Sequence, residues 1–116
     1  MAKVKELHVP ADFDALLDAS HEQPVALLKH SISCPISAGG QKEFVKLEGD
    51  DDPPLYGLVV QYVRELSNEI AERLDVQHET PQALLISGGE VVYHASHYDI
   101  SADALRDAAR QARQTS

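Results

Sequence analysis

No tryptophan occurs in this 116-residue chain, and its aromatic complement is four tyrosines and two phenylalanines. The core must therefore be assembled mainly from Leu, Ile, Val and Ala. A single cysteine is present, which excludes an internal disulfide and any chemistry that needs two thiols in one chain. A lone thiol also suits a reducing compartment. Basic residues are scarce, ten Lys and Arg against nineteen Asp and Glu, for a formal net charge of −9. Such a surface repels nucleic acid and anionic lipid, so neither nucleic acid nor membrane is expected as a partner. No stretch reaches the roughly 18 consecutive apolar residues of a membrane-spanning helix. Met1–His8 alternates charged with apolar residues where a secretory signal would be continuously apolar, and a cytoplasmic location is expected. The length fits a single domain over residues 1–116 that buries about two thirds of its unfolded surface without a disulfide or metal.

The apolar pattern divides this domain into alternating helices and strands. Phe13, Leu16 and Leu17 follow Asp12 at helical spacing, predicting a helix near 12–20 capped by Asp12. Val25–Leu28 reads as a strand covered on both faces, turning polar from Lys29 and extending over 25–30. Pro35 suits the first position of a helix whose face carries Ile36, Phe44 and Leu47, and Gly49–Pro54 reads as an acidic surface loop. A second buried strand is expected over Gly57–Val63, then a helix over 67–75 with Ser67 as its cap. Ala83–Ile86 and Val91–His94 flank Ser87-Gly88-Gly89-Glu90, a strong hairpin signal. The last helix starts near Ser101, with Leu105, Ala108 and Ala112 as its seam and arginines toward its end. The helical crossover between the first two strands demands parallel pairing. The expected fold is a four-stranded mixed α/β sheet flanked by helices, with strand 25–30 between strand 57–63 and the hairpin strand near 83–87.

Cys34 falls where a strand ends and a helix begins, so unpaired backbone N–H groups and the positive end of the helix dipole favour its thiolate. The alternative is a buried cysteine acting as a small hydrophobe, against which stand the polar neighbours Ser33 and Ser37. Cys34-Pro35-Ile36-Ser37 has the spacing of a dithiol motif whose second cysteine is serine.

Four segments, Ser33-Cys34-Pro35-Ile36-Ser37, Ser67-Asn68-Glu69-Ile70-Ala71, His78-Glu79-Thr80-Pro81-Gln82 and Ser96-His97-Tyr98-Asp99-Ile100, together resemble the monothiol bacilliredoxin family of thioredoxin-fold proteins. The resemblance spans nearly the whole chain. It implies a thioredoxin-like, glutaredoxin-like fold and an enzyme in which Cys34 removes bacillithiol, a small thiol, from mixed disulfides on client proteins. The residues expected at the site are Cys34, Pro35, Ser37 and His30 for catalysis and Thr80, Pro81, Ser33 and Glu79 for substrate binding, and the resemblance implies that the exposed backbone of Thr80 pairs with substrate. Bacillithiol is then a thiol co-substrate, the partners are bacillithiolated proteins and a low-molecular-weight thiol, and no bound cofactor or metal is expected. The resemblance also implies a cis Thr80–Pro81 bond against Cys34, whereas an ordinary X–Pro bond is cis in only about 5% of cases.

His30 either supports the thiolate and protonates the leaving thiol or is a solvated residue at a strand end. His78 and His97 are weaker candidates. His94 and His97 can chelate a metal only if a turn separates them, since strand residues three apart point to opposite faces. Asp50–Asp52 reads as a solvated charge run. Lys29 and Lys42 flank the expected site, where they either attract bacillithiol carboxylates or act only as surface charges. Gly39 and Gly40 inside the second helix have no role visible in the sequence, although each costs roughly 1 kcal/mol relative to alanine. A non-catalytic thioredoxin-fold binding or redox-sensing module is the alternative function. Iron–sulfur binding ranks last, because Pro35 stands where cluster-binding glutaredoxins have glycine.

Overall fold

A computed structural model describes residues 4–32, 35–49 and 52–115. In chain order its elements are β1 (Val4–Glu6), α1 (Pro10–Ser20), β2 (Val25–His30), α2 (Pro35–Phe44), β3 (Leu55–Val59), α3 (Arg64–Leu74), β4 (Gln82–Ser87), β5 (Glu90–Ser96), a 3-10 turn (His97–Asp99) and α4 (Ala102–Thr115). The crossover through α2 makes β2 and β3 parallel, and β4 lies antiparallel on the other side of β2. The expected central position of β2 is thus observed. Gly88 and Gly89 both take positive φ in the hairpin turn between β4 and β5, the conformation that a two-residue connection requires.

The sheet has five strands rather than four, in the order β1-β3-β2-β4-β5. The additional strand, β1, runs parallel to β3, and all three of its residues are exposed. Having no buried face, it carries no apolar period, and its pairing is supplied by the edge of β3. A Cβ on Gly57 would stand 3.0 Å from Val4 Cγ1, so the glycine admits β1 to that edge.

Alternation along β2 sends its side chains into two cores. Ala26 and Leu28 join Phe44 of α2 and Leu105 and Ala109 of α4 on one face. Val25 and Leu27 join Phe13 and Leu16 of α1 and Leu66 and Ile70 of α3 on the other. The next residue on this second face is Lys29, which is also completely buried.

Several element boundaries move. Asp12 is not the cap but lies inside α1, where its carboxylate accepts the His8 and Val9 N–H groups at 2.8 and 3.1 Å. Those bonds hold its pKa below the ordinary 3.8. α3 starts at Arg64, three residues before the expected cap, so Ser67 is a buried interior residue. β3 covers Leu55–Val59 rather than 57–63, because the chain turns at Val60–Tyr62 before α3. In α4 the fully packed seam is Leu105, Ala109 and Ala112, with Ala108 only partly buried.

Asp50 and Asp51 lie outside the described residues, but Asp52 is not a solvated charge. Its side chain is 5% exposed and meets Arg106 of α4 twice, Nε to Oδ1 at 2.8 Å and Nη2 to Oδ2 at 3.1 Å. This two-point ion pair anchors the acidic loop to α4, and the Arg106 hydrogen bond holds the carboxyl below its ordinary 3.8. A carboxylate with a depressed folded pKa adds stability that is complete above its unfolded value and lost as pH falls through the folded one. Asp52→Asn is therefore expected to cost about 2 kcal/mol at pH 7. It should also narrow the stability gap between pH 7 and pH 3, as read by urea unfolding at the two pH values.

Candidate functional site

β2 carries the chain to the C-terminal edge of the sheet, and α2 begins at Pro35, the residue after Cys34. Pro35 opens the helix without sacrificing a useful N–H. Ser33 and Cys34 lie outside the described residues; Ser37 falls in the first turn of α2. Gln61, in the turn after β3, holds the preceding segment by donating to Ser31 Oγ and accepting the Ile32 N–H at 3.4 Å. Ile32 remains 62% exposed, which leaves an apolar side chain two residues before Cys34.

The Thr80–Pro81 bond is cis. Pro81 is buried against α2: a Cβ built on Gly40 would stand 3.5 Å from Pro81 Cβ and 3.1 Å from Ile100 Cδ1. Gly40 thus lets the proline loop rest on the helix that Cys34 precedes. Gly39 has nothing within 4 Å of the same construction, and no packing explains it. The loop is also held from the 3-10 turn, where the His97 N–H donates to the Pro81 carbonyl at 2.9 Å and its imidazole lies 3.4 Å from the Glu79 carboxylate. His97 adopts φ +56°, a left-handed conformation outside β5. Its side chain therefore serves the proline loop.

A cleft of about 420 Å³ opens between this loop, the end of β2 and the start of α3, lined by Ser31, Val60, Arg64, Ser67, Asn68, His78 and Thr80. Among the described residues none that lines it is acidic, although the chain is strongly so. Behind the cleft the buried Lys29 Nζ donates to the Ser67 carbonyl at 3.1 Å and lies 3.3 Å from His78 Nδ1. His78 Nε2 lies 3.2 Å from Thr80 Oγ1, and Ser67 Oγ approaches Nδ1 at 3.4 Å. Burial lowers Lys29 from 10.5 to about 8. It also lowers His78 from 6.5, with help from the neighbouring Lys29 charge. Near pH 7 the lysine is charged and the histidine neutral.

Of the residues read from sequence, Thr80 and Pro81 thus stand beside the segment leading to Cys34, and Glu79 is tied behind them. His30 is elsewhere. It points to the α2 side of the sheet beside Leu28, Gln41, Phe44 and Gly57, with its pKa lowered by burial, on the face opposite Lys29. Lys42 is exposed on α2. Lys29 is no surface charge; the odd-numbered alternation Val25, Leu27, Lys29 already pointed it inward. The gathering of Ser67, Asn68 and Arg64 on the same cleft had no local signal, since it depends on how α3 packs.

The family profile described as monothiol bacilliredoxin BrxC matches residues 5–105. A solved structure described as a candidate oxidoreductase with a thioredoxin fold is 36% identical, with a TM-score of 0.82 over 90% of this chain and 92% of that one. Spinach chloroplast thioredoxin f is 22% identical with a TM-score of 0.72, over 97% of this chain and 95% of its own. Schistosoma mansoni thioredoxin is 18% identical with a TM-score of 0.73, over 94% of each chain. The last two are likenesses of fold alone.

Proposed function

The chain belongs to the monothiol bacilliredoxin family, and on that premise we propose that it is a thiol-disulfide oxidoreductase that takes bacillithiol off protein mixed disulfides, with Cys34 as nucleophile. The observation that carries this reading is the seating of Pro81 on α2 at Gly40. It holds the loop that carries Thr80 against the helix that Cys34 precedes, and Thr80 lines a cleft together with Ser31, three residues before Cys34. In the first step the Cys34 thiolate attacks the bacillithiol sulfur of the mixed disulfide. A Cys34–bacillithiol disulfide forms, the old disulfide breaks, and the client cysteine leaves as a thiolate that takes a proton from solvent. A second small thiol, as thiolate, then attacks the bacillithiol sulfur of the adduct: a disulfide between the two small thiols forms and leaves, the Cys34–bacillithiol bond breaks, and Cys34 is released as thiolate. Electrons balance without a bound cofactor.

The partners in this scheme are bacillithiolated proteins and the resetting thiol, in a reducing compartment of the cell. Among the described residues no helix is long and apolar enough to cross a membrane. In this reading Thr80, Pro81 and Ser33 are the groups that meet substrate, and Glu79 precedes Thr80 in the loop. Pro35 and Ser37 open the helix behind the nucleophile, and His30 stands on the far face of β2.

The test is a single-turnover mixture of reduced protein and a bacillithiolated peptide, followed by intact-mass spectrometry. One bacillithiol mass should move onto the protein and leave when excess thiol is added. A protein that binds the peptide but never acquires the mass is a binding module instead.

A further inference from the structure

Lys29 is an ammonium buried on a face otherwise filled by Leu27, Leu58 and Leu66, and among the described residues no carboxylate pairs with it. A charge held inside without a counter-ion is normally selected against, so the direction of its hydrogen bonds shows what it supports. An ammonium can only donate. His78 Nδ1, 3.3 Å from Lys29 Nζ, must then accept, which places the single proton of the neutral imidazole on Nε2. Nε2 in turn donates to Thr80 Oγ1 at 3.2 Å. The hydroxyl oxygen is occupied as an acceptor, and the Thr80 O–H hydrogen is left for an acceptor in the cleft that Thr80 lines. Ser67 Oγ also lies 3.4 Å from Nδ1, a contact that this tautomer allows.

We propose that Lys29 is a positioning residue: it fixes His78 as the Nε2–H tautomer and so turns Thr80 into a donor for a carboxylate of the small-thiol co-substrate. A carboxylate is indicated because Arg64, Asn68, Ser67, Ser31 and His78 line the same cleft with no acidic side chain among them, on a chain of net charge −9. The inference rests on the thiol-transfer reading for the identity of its ligand. The relay itself does not. Among the described residues, the titratable and charged groups around His78 are Lys29 from β2, Glu79 beside it in the loop and Arg64 from α3 across the cleft. With Lys29 lowered to about 8, its preference for the Nε2–H tautomer weakens as pH rises through that value, because the ammonium becomes an amine that can also accept.

The experiment is carried out on the full chain in two independent arms. In the first, nitrogen NMR of His78 at pH 7 should show a protonated Nε2 and a bare Nδ1. In Lys29→Met the two tautomers should mix and the titration midpoint of His78 should rise. An unchanged tautomer and midpoint in Lys29→Met would overturn the relay whether or not the protein is an enzyme. In the second, transfer is measured from one peptide carrying either bacillithiol or cysteamine, a thiol without a carboxylate. His78 is exposed, so its variants fold even if Lys29→Met does not. His78→Phe should raise KM for the bacillithiol adduct about tenfold while changing kcat less than twofold, and should leave the cysteamine adduct unaffected. His78→Gln, whose amide accepts from Lys29 and donates to Thr80, should restore the affinity. Equal loss with both adducts, or no rescue by glutamine, would overturn the carboxylate assignment. Should wild-type protein transfer no adduct, the enzyme reading fails by itself. Titration with reduced bacillithiol then still decides the ligand: shifts at His78 and Thr80 that vanish in His78→Phe support it, and their absence overturns it.

Discussion

Cys34→Ser is expected to reduce bacillithiol transfer by on the order of 10³-fold or more while leaving the thermal midpoint within about two degrees. A serine hydroxyl does not ionise near neutral pH and forms no disulfide, and the chain has no second cysteine to substitute. The replacement is nearly isosteric, so loss of transfer with an intact melting curve isolates the nucleophile from the fold. The same logic limits Ser37→Ala to a small effect, because Ser37 supplies no resolving thiol. Cys34 immediately precedes the first residue of α2, so helix N–H groups and dipole should stabilise its thiolate. Its alkylation rate should accordingly follow a titration midpoint below the roughly 8.5 of an unperturbed thiol. A Cys34→Ser protein that still acquires the adduct, or a wild-type thiol that alkylates no faster than a free one, would refute the mechanism.

The second large effect is expected at Gly40. A bare Cβ there meets Ile100 Cδ1 at 3.1 Å, the far end of a flexible side chain, and touches Pro81 only at ordinary contact distance. Gly40→Ala should therefore be nearly neutral, its crowding offset by the roughly 1 kcal/mol gain in helix propensity. Gly40→Leu has no such room. Its branches must displace Ile100 or lift Pro81 off α2, with an overpacking cost of about 3 kcal/mol. Because the displaced proline follows Thr80, transfer should fall with stability, by roughly tenfold or more for even a 1 Å shift of the binding segment. Gly39→Leu is the matched control: with open space at that position, it should retain both activity and stability. Denaturant unfolding and single-turnover transfer on the three variants separate the two glycines, and equal damage from Gly39→Leu and Gly40→Leu would mean that contact with Pro81 is not what the glycine protects.

How far the sequence could be read varied with how local the signal was. The β2 run, the Pro35 helix start and the paired glycines of the hairpin each act through their own backbone or nearest neighbours, and they stand as expected. β1 was invisible because a three-residue edge strand with every side chain exposed has no period to detect. Asp52 looked solvated because its partner, Arg106, lies 54 residues away, and the start of α3 was misplaced because a serine that resembles a cap proved to be a buried interior residue.

By itself the sequence determined the element order, the parallel crossover, the presence of a lone thiol and, through its motifs, the family. These follow from residue counts, short-range periodicity and adjacency along the chain. Strand alternation sets His30 and Lys29, neighbours in sequence, on opposite faces of the sheet, but tertiary structure alone decided that Lys29, Ser67, His78 and Thr80 meet behind one cleft. The physical reason is that a strand reverses its side chains at every step. Whether an inward charge finds partners then depends on the helix packed above it and the loop folded across its end.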